Sequence, residues 1–447
     1  MKPMSPRRKI ALGLLAAIVV VGACVAWIML PPRALSFAGG NPVQLADYKG
    51  PSPVGVPADL SGADLVKRGE YLTKAADCEV CHTAEGGQPY AGGLAFKTPF
   101  GTLYSPNITA DKETGIGDWS DADLIRAVHK GVARDGSHLY PAFPYESYTL
   151  LADDDVRAIK AYLFSLPPVH AAAPANALSF PFNQRWLMAF WSAFYNPDQR
   201  FMPHQDRRPE WNRGAYLVEG LAHCGDCHTP RNLAQALNNR RKFAGTVTQG
   251  WRAYNLTPDR ASGIGAWSDD DVAAYLSTGH AAGRGSAGGP MAEVVDISLS
   301  TLEPADIHAI VAYLRSVPAI ASPDMPAPKA AAASDMPKVM DASFDPRGKQ
   351  VFEGACASCH SWSGVSLLTN EATLTGNRAV NDPSAINVAQ IVISGERRQT
   401  PRGVVMMPAF GQAYSDTEIA AVANYVTARF GAKGSSLTAK DVAKLRQ

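Results

Sequence analysis

An excess of charge of one sign is what this 447-residue chain most plainly lacks: 42 Lys and Arg face 41 Asp and Glu, and charged residues are only 19% of the total. Lys2, Arg7, Arg8 and Lys9 crowd four of the cations into the first nine residues. The remainder is therefore slightly acidic and offers no basic groove for nucleic acid. An apolar share of 46% excludes both a disordered chain and a polytopic membrane protein. Cysteine is scarce, seven in all, too few for a disulfide scaffold of this length. No methionine occurs between Met29 and Met188. There is no dinucleotide Gly-x-Gly-x-x-Gly fingerprint following a strand, no Gly-x-Ser-x-Gly elbow and no metalloprotease helix. The chain thus announces no substrate chemistry of its own and is not expected to be an enzyme by itself. Its length fits about three domains of roughly 150 residues.

Six of the seven cysteines form three copies of one pattern: Cys78-Glu79-Val80-Cys81-His82, Cys224-Gly225-Asp226-Cys227-His228 and Cys356-Ala357-Ser358-Cys359-His360. Cys-x-x-Cys-His is the attachment signal for c-type haem. Two thiols one helical turn apart add to the porphyrin vinyl groups, and the histidine that follows gives iron its proximal nitrogen. A zinc site would need its second cysteine pair within about 12–20 residues, whereas these pairs start 146 and 132 residues apart. A dithiol redox pair would need a βαβ context, and the flanks read as helical. The expectation is three covalent haem c groups, with His82, His228 and His360 as iron ligands.

Ile10 to Leu30 is 21 residues without a charge, enough as a helix to cross a bilayer core of about 30 Å. Basic residues precede it, so the positive-inside rule keeps residues 1–9 in the cytoplasm and sends the rest outward. A cleaved signal peptide and lipidation at Cys24 are the alternatives. The apolar run is longer than a usual signal core, and it continues from Val25 to Leu30 beyond that cysteine. An uncleaved anchor is therefore expected, with Cys24 a small apolar residue inside it. The haem domains would then lie on the periplasmic face of the inner membrane.

Internal repeats set the organisation. Each haem motif follows an Arg-Gly pair (Arg68-Gly69, Arg213-Gly214, Arg347-Gly348). Each unit closes with an amphipathic helix carrying Ala158-Ile159 and Tyr162-Leu163, Ala309-Ile310 and Tyr313-Leu314, or Ala421-Val422 and Tyr425-Val426. The first two units also share Gly115-Ile116-Gly117-Asp118-Trp119-Ser120-Asp121 with Gly263-Ile264-Gly265-Ala266-Trp267-Ser268-Asp269, and Asn107-Ile108-Thr109 with Asn255-Leu256-Thr257. The Ser or Asp after each tryptophan is a candidate N-cap. Trp119 and Trp267 are expected to pack beside a haem edge, with no need to relay electrons.

The fold predicted is mainly α: three class I cytochrome c-like helical domains in tandem behind one N-terminal transmembrane helix. The divisions are a cytoplasmic tip over 1–9, the anchor over 10–30, a linker over 31–60, domain 1 over 61–170 and an aromatic connector over 171–207. Domain 2 follows over 208–317, then a Pro/Ala-rich linker over 318–343, domain 3 over 344–432 and a tail over 433–447. The connector carries Phe180, Phe182, Trp186, Phe190, Trp191, Phe194 and Tyr195. It reads as packed against the first or second haem domain, as a partner site, or as a membrane-interface segment.

An iron that only carries electrons usually has a second axial ligand, and methionine sulfur raises its potential relative to histidine. Met291, in Gly288-Gly289-Pro290-Met291, and Met407, in Met406-Met407-Pro408-Ala409-Phe410, stand where small class I cytochromes place that ligand. Met406 is the lesser candidate, because Met407 falls in the Met-Pro-Ala-Phe motif.

The three haem motifs, the Trp-Ser-Asp helices and Leu139-Tyr140-Pro141-Ala142-Phe143-Pro144-Tyr145 resemble the trihaem cytochrome c subunit of bacterial membrane-bound dehydrogenases, over roughly residues 60–432. Relatives serve alcohol, gluconate, fructose or sorbitol, and aldehyde dehydrogenases. The resemblance implies a catalytic partner holding pyrroloquinoline quinone, flavin or molybdopterin. It implies delivery of electrons to membrane ubiquinone, or to another carrier such as a downstream cytochrome or oxidase. Phe180-Pro181-Phe182-Asn183-Gln184-Arg185-Trp186 with Phe143 looks closest to cytochromes of molybdenum hydroxylases acting on aldehydes or N-heterocycles. Two other readings stay open: a self-sufficient haem peroxidase-like enzyme, and a free-standing carrier to a terminal oxidase. The family pattern breaks at the first haem. Where relatives with Leu-Tyr-Pro-Ala-Met-Pro-Tyr carry the sixth ligand, this chain has Phe143. The replacements rank Met188 first, His138 second and an open five-coordinate iron third, with Met202 and His129 as further candidates.

Overall fold

The computed structural model describes residues 6–328, 345–400 and 403–446. Residues 329–343 of the expected linker and 1–5 of the expected tip lie outside the described residues. Helices of more than one turn are α1 (Pro6–Met29), α2 (Leu65–Ala75), α3 (Asp121–Lys130), α4 (Asp153–Ser165), α5 (Leu187–Tyr195), α6 (Pro209–Tyr216), α7 (Asp269–Thr278), α8 (Pro304–Leu314), α9 (Pro346–Val351), α10 (Ile386–Ser394), α11 (Asp416–Phe430) and α12 (Ala439–Leu445). Short antiparallel pairs punctuate them: β1 (Ala95–Thr98) and β2 (Gly101–Tyr104), with β3 (Ala177–Leu178) added at the edge, β4 (Thr246–Thr248) with β5 (Trp251–Ala253), β6 (His280–Ala281) with β7 (Gly285–Ser286), and β8 (Glu396–Thr400) with β9 (Gly403–Met407).

Each repeat is closed by a crossing of its first and last helices, α2 on α4, α6 on α8 and α9 on α11. The Arg-Gly glycine lies at the crossing. A Cβ on Gly69, Gly214 or Gly348 would overlap the carbonyl oxygen of Ala158, Ala309 or Ala421 respectively, so the repeat keeps glycine for close approach of two backbones. The paired apolar residues of the closing helices form the other half of that contact, with Ala158, Ala309 and Ala421 all buried. The Trp-Ser-Asp runs start α3 and α7. Ser120 and Ser268 are the N-caps, each in a reciprocal box with Asp123 or Asp271, a device worth about 1 kcal/mol per helix.

The first two units share one core. Leu72, Leu151, Leu217, Leu221 and Ile310 belong to a single buried cluster, while Phe352, Ile419, Val422 and Phe430 form a separate one. The join is reciprocal. Tyr71 donates to Asp306 Oδ2 and Tyr216 to Asp155 Oδ2, each at 2.6 Å. The same hydroxyls accept the N–H groups of Glu303 and Ala152, each at 3.2 Å. Tyr71 matches Tyr216 in the repeat and Asp155 matches Asp306, so the units meet as an isologous pair about a local twofold. Arg213 grips Asp306 through Nε and Nη2 at 2.8 and 2.6 Å, with both side chains nearly buried. Removing one partner of such a pair leaves an uncompensated buried charge.

Two segments expected as linkers are straps instead. Within 31–60, Val43 N donates to Pro203 O at 2.9 Å, and Arg213 Nη1 donates to Pro53 O and Gly55 O at 3.0 and 2.8 Å. Within 318–343, the described part up to residue 328 folds back on the second unit, where Ile320 O accepts from Asn255 at 2.6 Å and Met325 is buried. Proline-rich composition stiffens these stretches, but their carbonyls satisfy buried amide and guanidinium donors, which no composition rule foresees.

The aromatic connector divides by face. Leu187, Trp191 and Tyr195 of α5 are half-buried, with Trp191 Nε1 donating to Ala234 O at 2.8 Å and its ring edge-on to Tyr145. Trp186, Phe190 and Phe194, on the opposite face, are exposed, as is Phe180. Packing therefore accounts for half of the segment. Where the spanning anchor is expected over 10–30, α1 carries exposed apolar side chains from Leu12 to Ile28. Among the described residues, however, no helix is long and apolar enough to cross a membrane. The far end of α1 is tied to the second unit: Asn232 donates to Met29 O at 2.9 Å, Arg240 to Leu30 O at 3.0 Å, and the Arg240 guanidinium lies over the Trp27 ring.

Candidate functional site

Each Cys-x-x-Cys-His run contains a single helical turn (Cys78–Cys81, Gly225–His228, Ala357–His360), with Cys224 and Cys356 at the N-cap positions of the second and third turns, and residues three apart on a helix are surface neighbours. In every copy the histidine Nδ1 meets a backbone carbonyl: His82 with Pro106 O at 2.8 Å, His228 with Tyr254 O and His360 with Ala372 O, both at 2.6 Å. Nδ1 donating to a carbonyl leaves Nε2 as the lone-pair nitrogen, the tautomer an iron ligand requires. Burial also pushes all three imidazoles below their ordinary pKa, keeping them neutral.

Burial acts oppositely on the thiols. It raises Cys78 and Cys224 to about 12 and Cys227 and Cys356 to about 11. An exchanging dithiol needs a stabilised thiolate, which burial disfavours at these four cysteines. Among the described residues no group of three or more His, Cys, Asp or Glu is placed to hold a bare metal ion. The donor set fits haem c: two cysteines and one imidazole oriented by a backbone carbonyl at each turn.

The Asn-x-Thr repeat explains how the proximal carbonyls are held, a role that sequence reading missed although the repeat itself was its signal. Asn107 directly follows Pro106, and Asn255 directly follows Tyr254. Asn107 Oδ1 accepts Thr109 N at 2.9 Å while its Nδ2 donates to Val169 O at 2.7 Å. Asn255 repeats this with Thr257 N at 2.8 Å and Ile320 O at 2.6 Å. The strap after each closing helix thus braces the loop beneath the histidine.

On the opposite side, backbone register aligns the first two units. Leu139 N donates to Gly131 O and Ala287 N to Gly279 O, both at 2.7 Å. Four residues on stand Phe143 and Met291, so Phe143 occupies the methionine position, half-buried against the shared core. In the third unit strand parity separates the two methionines. Met406 points outward and is 66% exposed, while Met407 packs against the core from the inner face of β9.

The remaining candidates for the first haem are scattered. Met188 is half-buried on α5 but is not among the described side chains packed on the shared core. Met202 Sδ accepts from Gln199 at 3.1 Å. His138 sits in the bridge to Val132 with a buried, unpartnered Nδ1. His129 is buried on α3 beside Asp153, and burial pushes its pKa down to about 4. The first and second attachment turns are close neighbours: Ser147 Oγ lies 3.3 Å from Asp226 Oδ2, and the Tyr148 and His223 rings meet edge-on at 5.2 Å.

The cytochrome c family profile matches residues 66–167 and 346–429. The chain is 44% identical over 372 residues to one of the nicotinate dehydrogenase subunits of Pseudomonas putida, an alignment that takes in 83% of this chain and 31% of that protein. It therefore spans about a third of that relative's length. It is 40% identical over 407 residues to the gluconate 2-dehydrogenase cytochrome c subunit of Pantoea cypripedii, with 87% of this chain and 91% of that one covered. With the fructose dehydrogenase cytochrome subunit of Gluconobacter japonicus it shares 38% identity over 401 residues, 85% and 82% of the two chains.

Proposed function

Because the chain belongs to the cytochrome c subunits of dehydrogenases, we propose that it is the trihaem electron conduit between a catalytic dehydrogenase subunit and membrane ubiquinone. Catalysis sits on the partner chain; this chain transfers electrons. The observation that carries the reading is the threefold recurrence of the same oriented histidine beside two thiols. Covalent haem c, when bound, supplies one-electron redox chemistry at each turn. Cys78 and Cys81, Cys224 and Cys227, and Cys356 and Cys359 would anchor it, with His82, His228 and His360 as proximal ligands. Met291 and Met407 are the proposed sixth ligands of the second and third sites. Met188 is the proposed sixth ligand of the first, being a half-buried thioether in the adjoining connector, whereas the Met202 sulfur is engaged by Gln199. The similarity to a nicotinate dehydrogenase subunit favours a molybdopterin-type partner that oxidises an N-heterocycle, ahead of a quinoprotein or flavoprotein.

We further propose that the protein sits on the periplasmic side of the inner membrane, held there by residues 10–30. Support comes from the uncharged run, from the exposed apolar side chains of α1, and from the open aromatic face of α5. Trp186, Phe190 and Phe194 suit the interface between headgroups and acyl chains.

A tagged full-length chain purified from solubilised membranes should bring down a dehydrogenase, and the assembly should reduce a short-chain ubiquinone analogue at the expense of the partner's substrate. Peroxide turnover by the isolated chain would favour the haem-enzyme reading. Recovery with a terminal oxidase alone would favour the free-standing carrier. Met407→Leu should abolish the weak sulfur-to-iron absorption band of one haem, and Met406→Leu should leave it intact. The reverse result would move the ligand to the outer face of β9. An unchanged band in Met188→Leu would remove Met188 from the first site.

A further inference from the structure

The third unit touches the second on both sides of its histidine–methionine line. On the histidine side, Tyr254 supplies the carbonyl that holds His228. Its ring lies under the Arg378 guanidinium, 5.1 Å from the centroid, and its hydroxyl is 3.4 Å from Asp382 Oδ2. Arg378 continues onto the carbonyls of Gly263 and Ser262. On the methionine side, the inner face of β8 presents Glu396 and Arg398. Glu396 Oε2 accepts the N–H of Gly289 at 2.7 Å, two residues before Met291. Arg398 donates to Gly279 O at 3.0 Å and to the Asp296 carboxylate, which brackets the same loop.

The hairpin that does this also carries Met407, whose Cα is paired with that of Glu396 across the β8–β9 ladder. Among the described residues the first unit has no counterpart. The position equivalent to Gly289 is Pro141, which has no N–H to give. Gly289 itself is fixed from behind, in the left-handed region at φ +55 with the Trp251 ring where a Cβ would stand.

We infer that the β8–β9 hairpin clamps the methionine loop of the second haem site to that of the third, and that Glu396 is the positioning residue of this clamp. The inference rests on Met291 and Met407 being sixth ligands. A charge-assisted bond is roughly twice as strong as a neutral one, and here it sets the height of the Met291 loop over the second site. Methionine ligation raises a haem potential, so slackening the loop should lower it. Removing a negative charge alone should do the opposite.

The test is redox titration and absorption spectroscopy of the full-length holoprotein. Glu396→Ala should lower the midpoint potential of one haem and weaken its sulfur-to-iron band. Glu396→Gln, whose amide oxygen still accepts from Gly289 N, should keep the band, and its potential should not fall. Should the alanine variant fail to hold its haem, Glu396→Asp retains the charge but draws it back by one methylene, and should also lower the potential. Wild-type potentials in both Glu396→Ala and Glu396→Asp, or a rise in Glu396→Ala equal to that in Glu396→Gln, would overturn the positioning role. Met291→Leu separates the two layers. If that variant keeps the full band, the ligand assignment fails and the clamp with it. If it loses one haem's share while Glu396→Ala is silent, the clamp alone is wrong.

Discussion

Gly214→Ala is expected to destabilise the protein by more than about 3 kcal/mol, at or beyond the top of the usual range for overpacking. The added Cβ would overlap the Ala309 carbonyl oxygen and come within 2.8 Å of Tyr313 Cβ. Backbone cannot rotate away as a side chain can. The helices are also pinned one residue and three residues from the clash, where Arg213 holds Asp306 through two bonds. Separating α6 from α8 would open the shared core and loosen the turn that carries Cys224. Urea unfolding followed by circular dichroism should show the midpoint falling sharply, with loss of haem at the second site. Gly354→Ala, where an added Cβ meets nothing within 4 Å, should stay within about 0.5 kcal/mol of wild type. Equal midpoints for the two variants would refute the tight crossing.

Replacing Cys224 and Cys227 together by serine should lower covalently bound haem from three per chain to two, read by pyridine haemochrome absorbance and by intact mass. The thiols at the other two turns belong to separate attachment pairs, so their haem should remain. The first haem should nevertheless be disturbed, because its unit shares a core with the second and Ser147 touches the altered turn. A shift in the first haem's potential is therefore expected as well, with a smaller change at the third. A wild-type count of two or fewer would contradict the trihaem reading, and an unchanged count in the double variant would place attachment elsewhere.

Local chemistry determined what could be read from the sequence alone. A covalent haem needs two thiols and a histidine within five residues, so the motif is complete wherever it occurs and specifies the cofactor class; the family resemblance needed the Trp-Ser-Asp runs and Leu139 to Tyr145 as well. The N-caps at Ser120 and Ser268 and the apolar faces of the closing helices are legible for the same reason, since each depends on neighbours within a few turns, whereas the place of Phe143 is legible only through the family resemblance. Tertiary structure alone decided the rest. Tyr71 and Asp306 are separated by 235 residues, and no periodicity links them, so the fusion of two units into one core was not visible. The straps at 31–60 and 318–328 look like linkers because their function is to lend carbonyls to distant donors such as Arg213 and Asn255. Both faces of α5 are aromatic, and only packing shows that Trp191 is covered while Trp186 and Phe190 are open. The same limit explains Glu396. An exposed-looking glutamate in a polar strand acquires its place in the molecule only when Gly289, 107 residues earlier, is brought to its carboxylate.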